Sequence, residues 1–187
     1  MSIYLTAILP PEQLASEIDE IRKEISEKYK VYAALKPPVH ITLYRPLSME
    51  ASNEDFLIKL LKPVGYSHKP FQQRLENFDS FNNKTLFIHA DKNPLLQVLQ
   101  SDIAAVYNKN KIDVKEQKSS DRFHPHITIA YRDVQRNVFK ELWQEFKNRK
   151  FRRHYITDRF CLLKHDGKRW NLLEEFLLQQ TETPTLF

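Results

Sequence analysis

Val39–Arg45 reads VHITLYR and Phe123–Tyr131 reads FHPHITIAY. Both hold His-Ile-Thr followed by an aliphatic residue, as His40-Ile41-Thr42-Leu43 and His126-Ile127-Thr128-Ile129. A proline precedes each motif (Pro38, Pro125), and a Tyr-Arg pair follows, as Tyr44-Arg45 and, one residue later, Tyr131-Arg132. With seven histidines and eight threonines among 187 residues, chance supplies only about 0.3 His-x-Thr triplets. Two copies with matched neighbours point to an internally duplicated unit, one motif per lobe.

Both segments are rich in β-branched residues and read as strands. Residues i and i+2 of a strand share a face, so each motif projects an imidazole beside a hydroxyl while Ile41 and Ile127 point into a core. A single His-x-Thr is ordinarily a packed or hydrogen-bonded pair. Two of them across a cleft supply an acid, a base and two hydroxyls around a small anion. That set suits in-line displacement at phosphorus. One histidine takes a proton from the nucleophile, the other protonates the leaving oxygen, and the threonines hold non-bridging oxygens. Histidine offers both protonation states near neutrality, so this chemistry needs no metal.

Outward from the motifs, Ile3–Leu9 reads as a strand ended by Pro10-Pro11. Leu14, Ile18, Ile21 and Ile25 mark an amphipathic helix within Glu12–Tyr29. Asn53–Leu61 is a short helix closed by Pro63, and Phe71–Phe78 and Thr85–Ala90 are strands joined by an Asn82-Asn83 turn. Asn93-Pro94 opens a further helix that stops near Asn108. After the second motif comes a helix over Val134–Lys147, then two or three strands between Phe151 and Leu178 with a turn at Asp166-Gly167. Strands and helices mix without strict alternation, which predicts an α+β fold over a single domain, residues 1–187.

Composition narrows the chemistry further. The only glycines are Gly65 and Gly167, so glycine-rich phosphate loops of the Walker or dinucleotide type are excluded. The lone Cys161 excludes an internal disulfide, a cysteine-rich zinc site and a C-x-x-C pair. The N-terminus lacks signal-peptide character and no run is long enough to span a bilayer, so a cytoplasmic protein is expected. A net charge of +5 leans toward an anionic partner. Lys147–Arg153 and Lys164–Arg169 read equally as solvated surface or as phosphate-binding segments.

Further candidates surround the motifs. Arg132 and Tyr44 share the parity of the motif histidines and are candidate substrate contacts, as is Tyr4 on the first strand, more weakly. Arg45 has the opposite parity and faces away unless a bulge intervenes. His124 is another candidate contact, and His124-Pro125-His126 can also be read as two ligands of a metal hydrolase, although no further ligands are marked. His68, His89, His154 and His165 lack repeated context and read as structural or surface residues. Cys161 reads as a small buried hydrophobe.

With these residues the sequence resembles the two-histidine (2H) phosphoesterase superfamily, which includes RNA 2′,3′-cyclic phosphodiesterases and 2′-5′ RNA ligase-like proteins. The resemblance rests on HITL at His40–Leu43, on FHPHITIAY and on the order of elements. It implies a bilobal α+β fold with a cleft between pseudo-symmetric lobes. It also implies His40 and His126 as the acid/base pair, Thr42 and Thr128 as phosphate ligands, and no metal or cofactor. Tyr44-Arg45-Pro46 departs from the Phe-Leu-Gly form of the bacterial RNA ligase branch. The expected activity is hydrolysis of a 2′,3′-cyclic phosphate on an RNA end or nucleotide, by a monomer. ATP-independent 2′-5′ ligation and non-catalytic binding of RNA ends are the alternatives.

Overall fold

In the computed structural model, which describes residues 1–112 and 123–179, Pro11 caps the helix that follows the first strand. Neither Pro10 nor Pro11 can donate to a ladder, so β1 (Ser2–Ile8) ends just before them. α1 (Glu12–Tyr29) buries Leu14, Ile18, Ile21 and Ile25 along one face and ends at Lys30, whose φ of 57° is left-handed. β2 (Ile41–Met49) begins two residues later than the sequence suggests, so His40 stands just outside it. The strand also runs on through Pro46. Tyr44 pairs with Thr6 and Leu47 with Tyr4, so Arg45 and Pro46 together oppose the single residue Leu5. A bulge is where a central strand tolerates a missing N–H.

α2 (Glu54–Tyr66) corrects a second expectation, because Pro63 lies inside it rather than closing it. Pro63 is on the exposed side of the helix, where water can satisfy the carbonyl that loses its partner. β3 (Phe71–Phe81) and β4 (Thr85–Ala90) form the expected hairpin, with Asn82 and Asn83 at φ 50° and 52°. α3 (Pro94–Lys109) starts where the Asn93 side chain accepts the Leu95 N–H at 2.9 Å. β5 (His126–Ala130), α4 (Arg136–Phe146), β6 (Arg152–Thr157), β7 (Arg159–His165) and β8 (Trp170–Leu177) follow among the described residues. The tail therefore holds three strands, and Gly167 takes the turn before β8 at φ 97°. The expected single domain over 1–187 also covers 113–122 and 180–187, which lie outside the described residues.

Among the described residues, eight strands join one antiparallel sheet in the order β6-β3-β4-β5-β2-β1-β7-β8. The two expected lobes are the halves of this sheet. Each motif strand lies at the centre, with three further strands added outward on either side. The helices cover one face: α1 meets β5, α3 meets β2 and α2 meets β8. There Ile41, Leu43, Ile127, Ile129, Leu86 and Ile88 enter the main core. Phe146 of α4 meets Phe78 edge-on at 4.9 Å. No helix among the described residues is long and apolar enough to cross a membrane.

Gly65 records how closely α2 approaches β8. A Cβ there would lie 2.7 Å from the carbonyl oxygen of Leu177, a contact only backbone movement can relieve. Helix propensity alone favours Gly65→Ala by about 1 kcal/mol, but overpacking costs about 1–3 kcal/mol. Gly65→Ala is therefore expected to lower the urea midpoint of unfolding. A raised midpoint would contradict the packing argument.

Candidate active site

The centre of the sheet brings the two motifs together. Ile41 of β2 pairs with Ile127 of β5 in antiparallel register. Continued by one residue each way, that register sets His40 beside Thr128 and Thr42 beside His126. All four belong to the face opposite Ile41 and Ile127, away from the helices, and all four are partly buried.

The histidines are held alike. Nδ1 of His40 lies 2.7 Å from the carbonyl oxygen of Pro38, and Nδ1 of His126 lies 2.7 Å from that of His124. A carbonyl only accepts, so Nδ1 carries a proton in both rings and Nε2 is the nitrogen left to exchange a proton. Burial pushes His40 down to about 4; the Pro38 bond opposes this, while the charges of Arg22 and His126 add to it. Burial also lowers His126, and His124 and His89 act in the same direction. At neutral pH the unliganded protein therefore presents two neutral imidazoles. An anion between them would favour protonation of one.

Aromatic rings wall the His126 side. Phe81 and Phe87 stack at 4.1 Å, and their centroids lie 5.1 and 5.0 Å from His126. His124 joins the group, 5.1 Å from Phe81 and 6.3 Å from His126. Its Nε2 is buried without a hydrogen-bond partner, and burial lowers its pKa. Among the described residues, no group of three or more His, Cys, Asp or Glu side chains is arranged to hold a metal ion.

Two candidates fall elsewhere, and a third loses the parity that suggested it. Tyr44 is 1% exposed and stacks on Tyr107 of α3 at 4.1 Å. The reason is a bulge: Thr42 pairs with Ala7 and Tyr44 with Thr6, leaving Leu43 extra, so parity reverses and Tyr44 turns into the core. Tyr4 is fully buried and donates to Glu54 Oε1 at 2.5 Å, where Lys164 also bonds. Arg132 does not follow the parity of His126, because β5 ends at Ala130 and Arg132 has φ 63°. It is exposed, with its guanidinium 5.1 Å from the Tyr131 ring centroid.

Two residues gain standing. The bulge that removes Tyr44 returns Arg45 to the face of His40 and Thr42. His89, read as incidental, pairs directly with His126 across β4 and β5 and lies 5.4 Å from His124. Its strand was legible, but nothing local marked which strand would lie beside it. Of the basic segments, Arg149 and Arg153 are engaged with Glu24 and Glu17 of α1, so these two arginines neutralise part of a helix face. His68 bonds Asp102 at 3.0 Å, and His165 packs on Trp170 at 5.1 Å. Cys161 is buried, as expected, and burial raises its thiol to about 12.

One antiparallel sheet with paired His-x-Thr motifs at its centre and helices on its outer face is the arrangement of the two-histidine phosphoesterases. Residues 10–169 match the family model described as the 2′-5′ RNA ligase superfamily, and the chain belongs to that superfamily. It is 27% identical over 155 residues to a Shouchella clausii protein named by inference as a phosphoesterase, covering 81% of this chain and 86% of that one. A Bacillus cytotoxicus protein named likewise is 25% identical over 174 residues, covering 91% and 94%. Among solved structures, TT0787 of Thermus thermophilus aligns over 97% of this chain and 100% of its own, with a TM-score of 0.72 at 20% identity. LigT of Escherichia coli, complexed with 3′-AMP, aligns over 96% and 99%, with a TM-score of 0.63 at 19% identity. These two likenesses establish the fold.

Proposed function

We propose that this phosphoesterase-type protein hydrolyses 2′,3′-cyclic phosphates, on RNA ends or nucleotides, through His40 and His126 and without a metal. The observation that carries the reading is the Ile41–Ile127 pairing, which gives each histidine a threonine neighbour from the opposite motif. Water attacks phosphorus in line with the ribose oxygen that leaves. One Nε2 accepts the water proton, the other donates a proton to the ribose oxygen as its P–O bond breaks, and a ribose phosphomonoester results. Thr42 and Thr128 donate to the non-bridging oxygens. LigT structures with 3′-AMP, NADP+, ATP and phosphate support a nucleotide or RNA-end ligand.

The family description favours a second reading with the same residues. If an RNA 5′-hydroxyl replaces water, a 2′-5′ bond forms at the expense of the cyclic ester, with no ATP. Product analysis on a panel of cyclic nucleotides and short RNAs ending in 2′,3′-cyclic phosphate separates the two. Phosphomonoester products support hydrolysis, and joined strands support ligation. Binding without turnover of any member would make the protein an RNA-end-binding module.

The histidine environments also set the expected pH dependence. Productive encounter requires one neutral and one protonated imidazole. Both are depressed from the usual 6.5, His40 to about 4, so kcat/KM is expected to peak below pH 6.5 and to fall as pH rises. The bound phosphate stabilises the imidazolium, so the kcat profile should lie at higher pH than that of kcat/KM. A kcat/KM optimum above about pH 7.5 would contradict the assignment.

A further inference from the structure

Arg22 occupies a place where the fold alone would prefer a leucine. It lies on the core-facing side of α1 with Ile18 and Ile25, and only 3% of its surface is exposed. Burying a guanidinium is costly unless its donors are satisfied. Here the accounting is incomplete: Nη1 donates to Asp19 at 2.8 Å, Nη2 to the Pro37 carbonyl at 2.9 Å, and Nε is buried without a hydrogen-bond partner.

What Arg22 holds explains why it is there. The Pro37 carbonyl precedes that of Pro38, which receives the Nδ1–H of His40 at 2.7 Å. The guanidinium and the imidazole therefore grip successive carbonyls of one short segment. The start of the same connection is also tied, because Asp133, just past β5, accepts the N–H groups of Tyr32 and Ala33 at 2.6 and 2.9 Å. His126 has the matching bond to its own i−2 carbonyl, but its neighbours are His124 and His89 rather than a permanent cation. The two motifs are thus alike in hydrogen bonding and unlike in electrostatic setting.

We propose that Arg22 is a positioning residue for His40, clamping the Pro37–Pro38 backbone that orients the imidazole and keeping a fixed positive charge beside it. This rests on the acid–base role of His40 given above. Arg22 from α1 and His126 from β5 act on His40 directly, while Asp19 and Tyr131 act on Arg22. The clamp sets ring orientation, and the charge opposes protonation of the free protein until an anionic substrate arrives.

The test is an NMR titration of the His40 ring in the unliganded protein, together with steady-state kinetics. Arg22→Met should move the His40 midpoint upward by about half a unit or more. It should also lower kcat about tenfold with little change in KM. Arg22→Lys should restore the low midpoint and only part of kcat, because an ammonium cannot span both Asp19 and Pro37 in the guanidinium geometry. Asp19→Asn, at a half-exposed position, removes a compensating negative charge while its amide oxygen can still accept from Nη1, and should move the midpoint downward. A folded Arg22→Met protein with unchanged midpoint and kcat would overturn the proposal, as would an Asp19→Asn protein with an unmoved midpoint. If the midpoints shift as expected while no cyclic phosphate is turned over, the coupling stands and the proposed activity falls.

Discussion

His40→Ala and His126→Ala are each expected to lower cyclic-phosphate turnover at least about a hundredfold, the usual contribution of a positioned acid or base. Both rings are fixed by the same bond from Nδ1 to the carbonyl two residues back. Only Nε2 remains for proton exchange, and no neighbouring side chain can substitute for it without losing that alignment. The double variant should be little worse than either single one, because acid and base act in one step. Circular dichroism should show both single variants folded, since the motif histidines lie on the face away from the main core. Either variant retaining more than about a tenth of wild-type kcat would remove that histidine from the reaction.

Thr42→Val and Thr128→Val carry the second large effect, a loss in kcat of about a hundredfold, in the range for deleting a donor to a developing oxyanion. Valine keeps the shape of threonine on a strand, so the change isolates the hydroxyl, and serine should recover most of the rate. The register adds a more specific expectation. Ile41 opposite Ile127 makes His40 and Thr128 cross-strand neighbours, with Cα atoms about 4.5–5.5 Å apart. His40 and Thr42 lie two residues apart on one chain, about 6.5 Å. Double-mutant cycles measured on kcat/KM should therefore show stronger coupling for His40 with Thr128 than for His40 with Thr42. The reverse order would mean that each motif works as a separate unit.

Much of the fold was legible because its signals are local. The four-residue spacing of Leu14 and Ile18 and the prolines at 10 and 11 bound α1, and Asn93-Pro94 marked the start of α3. Where reading by alternation failed, the cause was not local. Tyr44 and Arg45 exchanged faces because β1 and β2 pair through a bulge, which depends on the partner strand as much as on Thr42-Leu43-Tyr44. Arg132 lost its expected parity because β5 stops at Ala130, one residue before the second Tyr-Arg pair. Pro63 looked like a terminator, yet its lost bond lies on the solvent side of α2, which only packing against β8 and α3 defines.

The proposed chemistry is legible in the motifs themselves. A duplicated His-x-Thr on β-branched segments fixes which side chains share a face, because strand alternation is a property of the local backbone. Tertiary structure alone decided how the two copies meet. Ile41 and Ile127 are 86 positions apart, and nothing within either motif states that their strands adjoin in the middle of one sheet. The same long-range pairing brought His89 beside His126, turned Tyr4 and Tyr44 into the core, and set a buried arginine of α1 against the loop that carries His40. Those contacts arise from burial and strand pairing summed over the whole chain, so they appear only once the chain has folded.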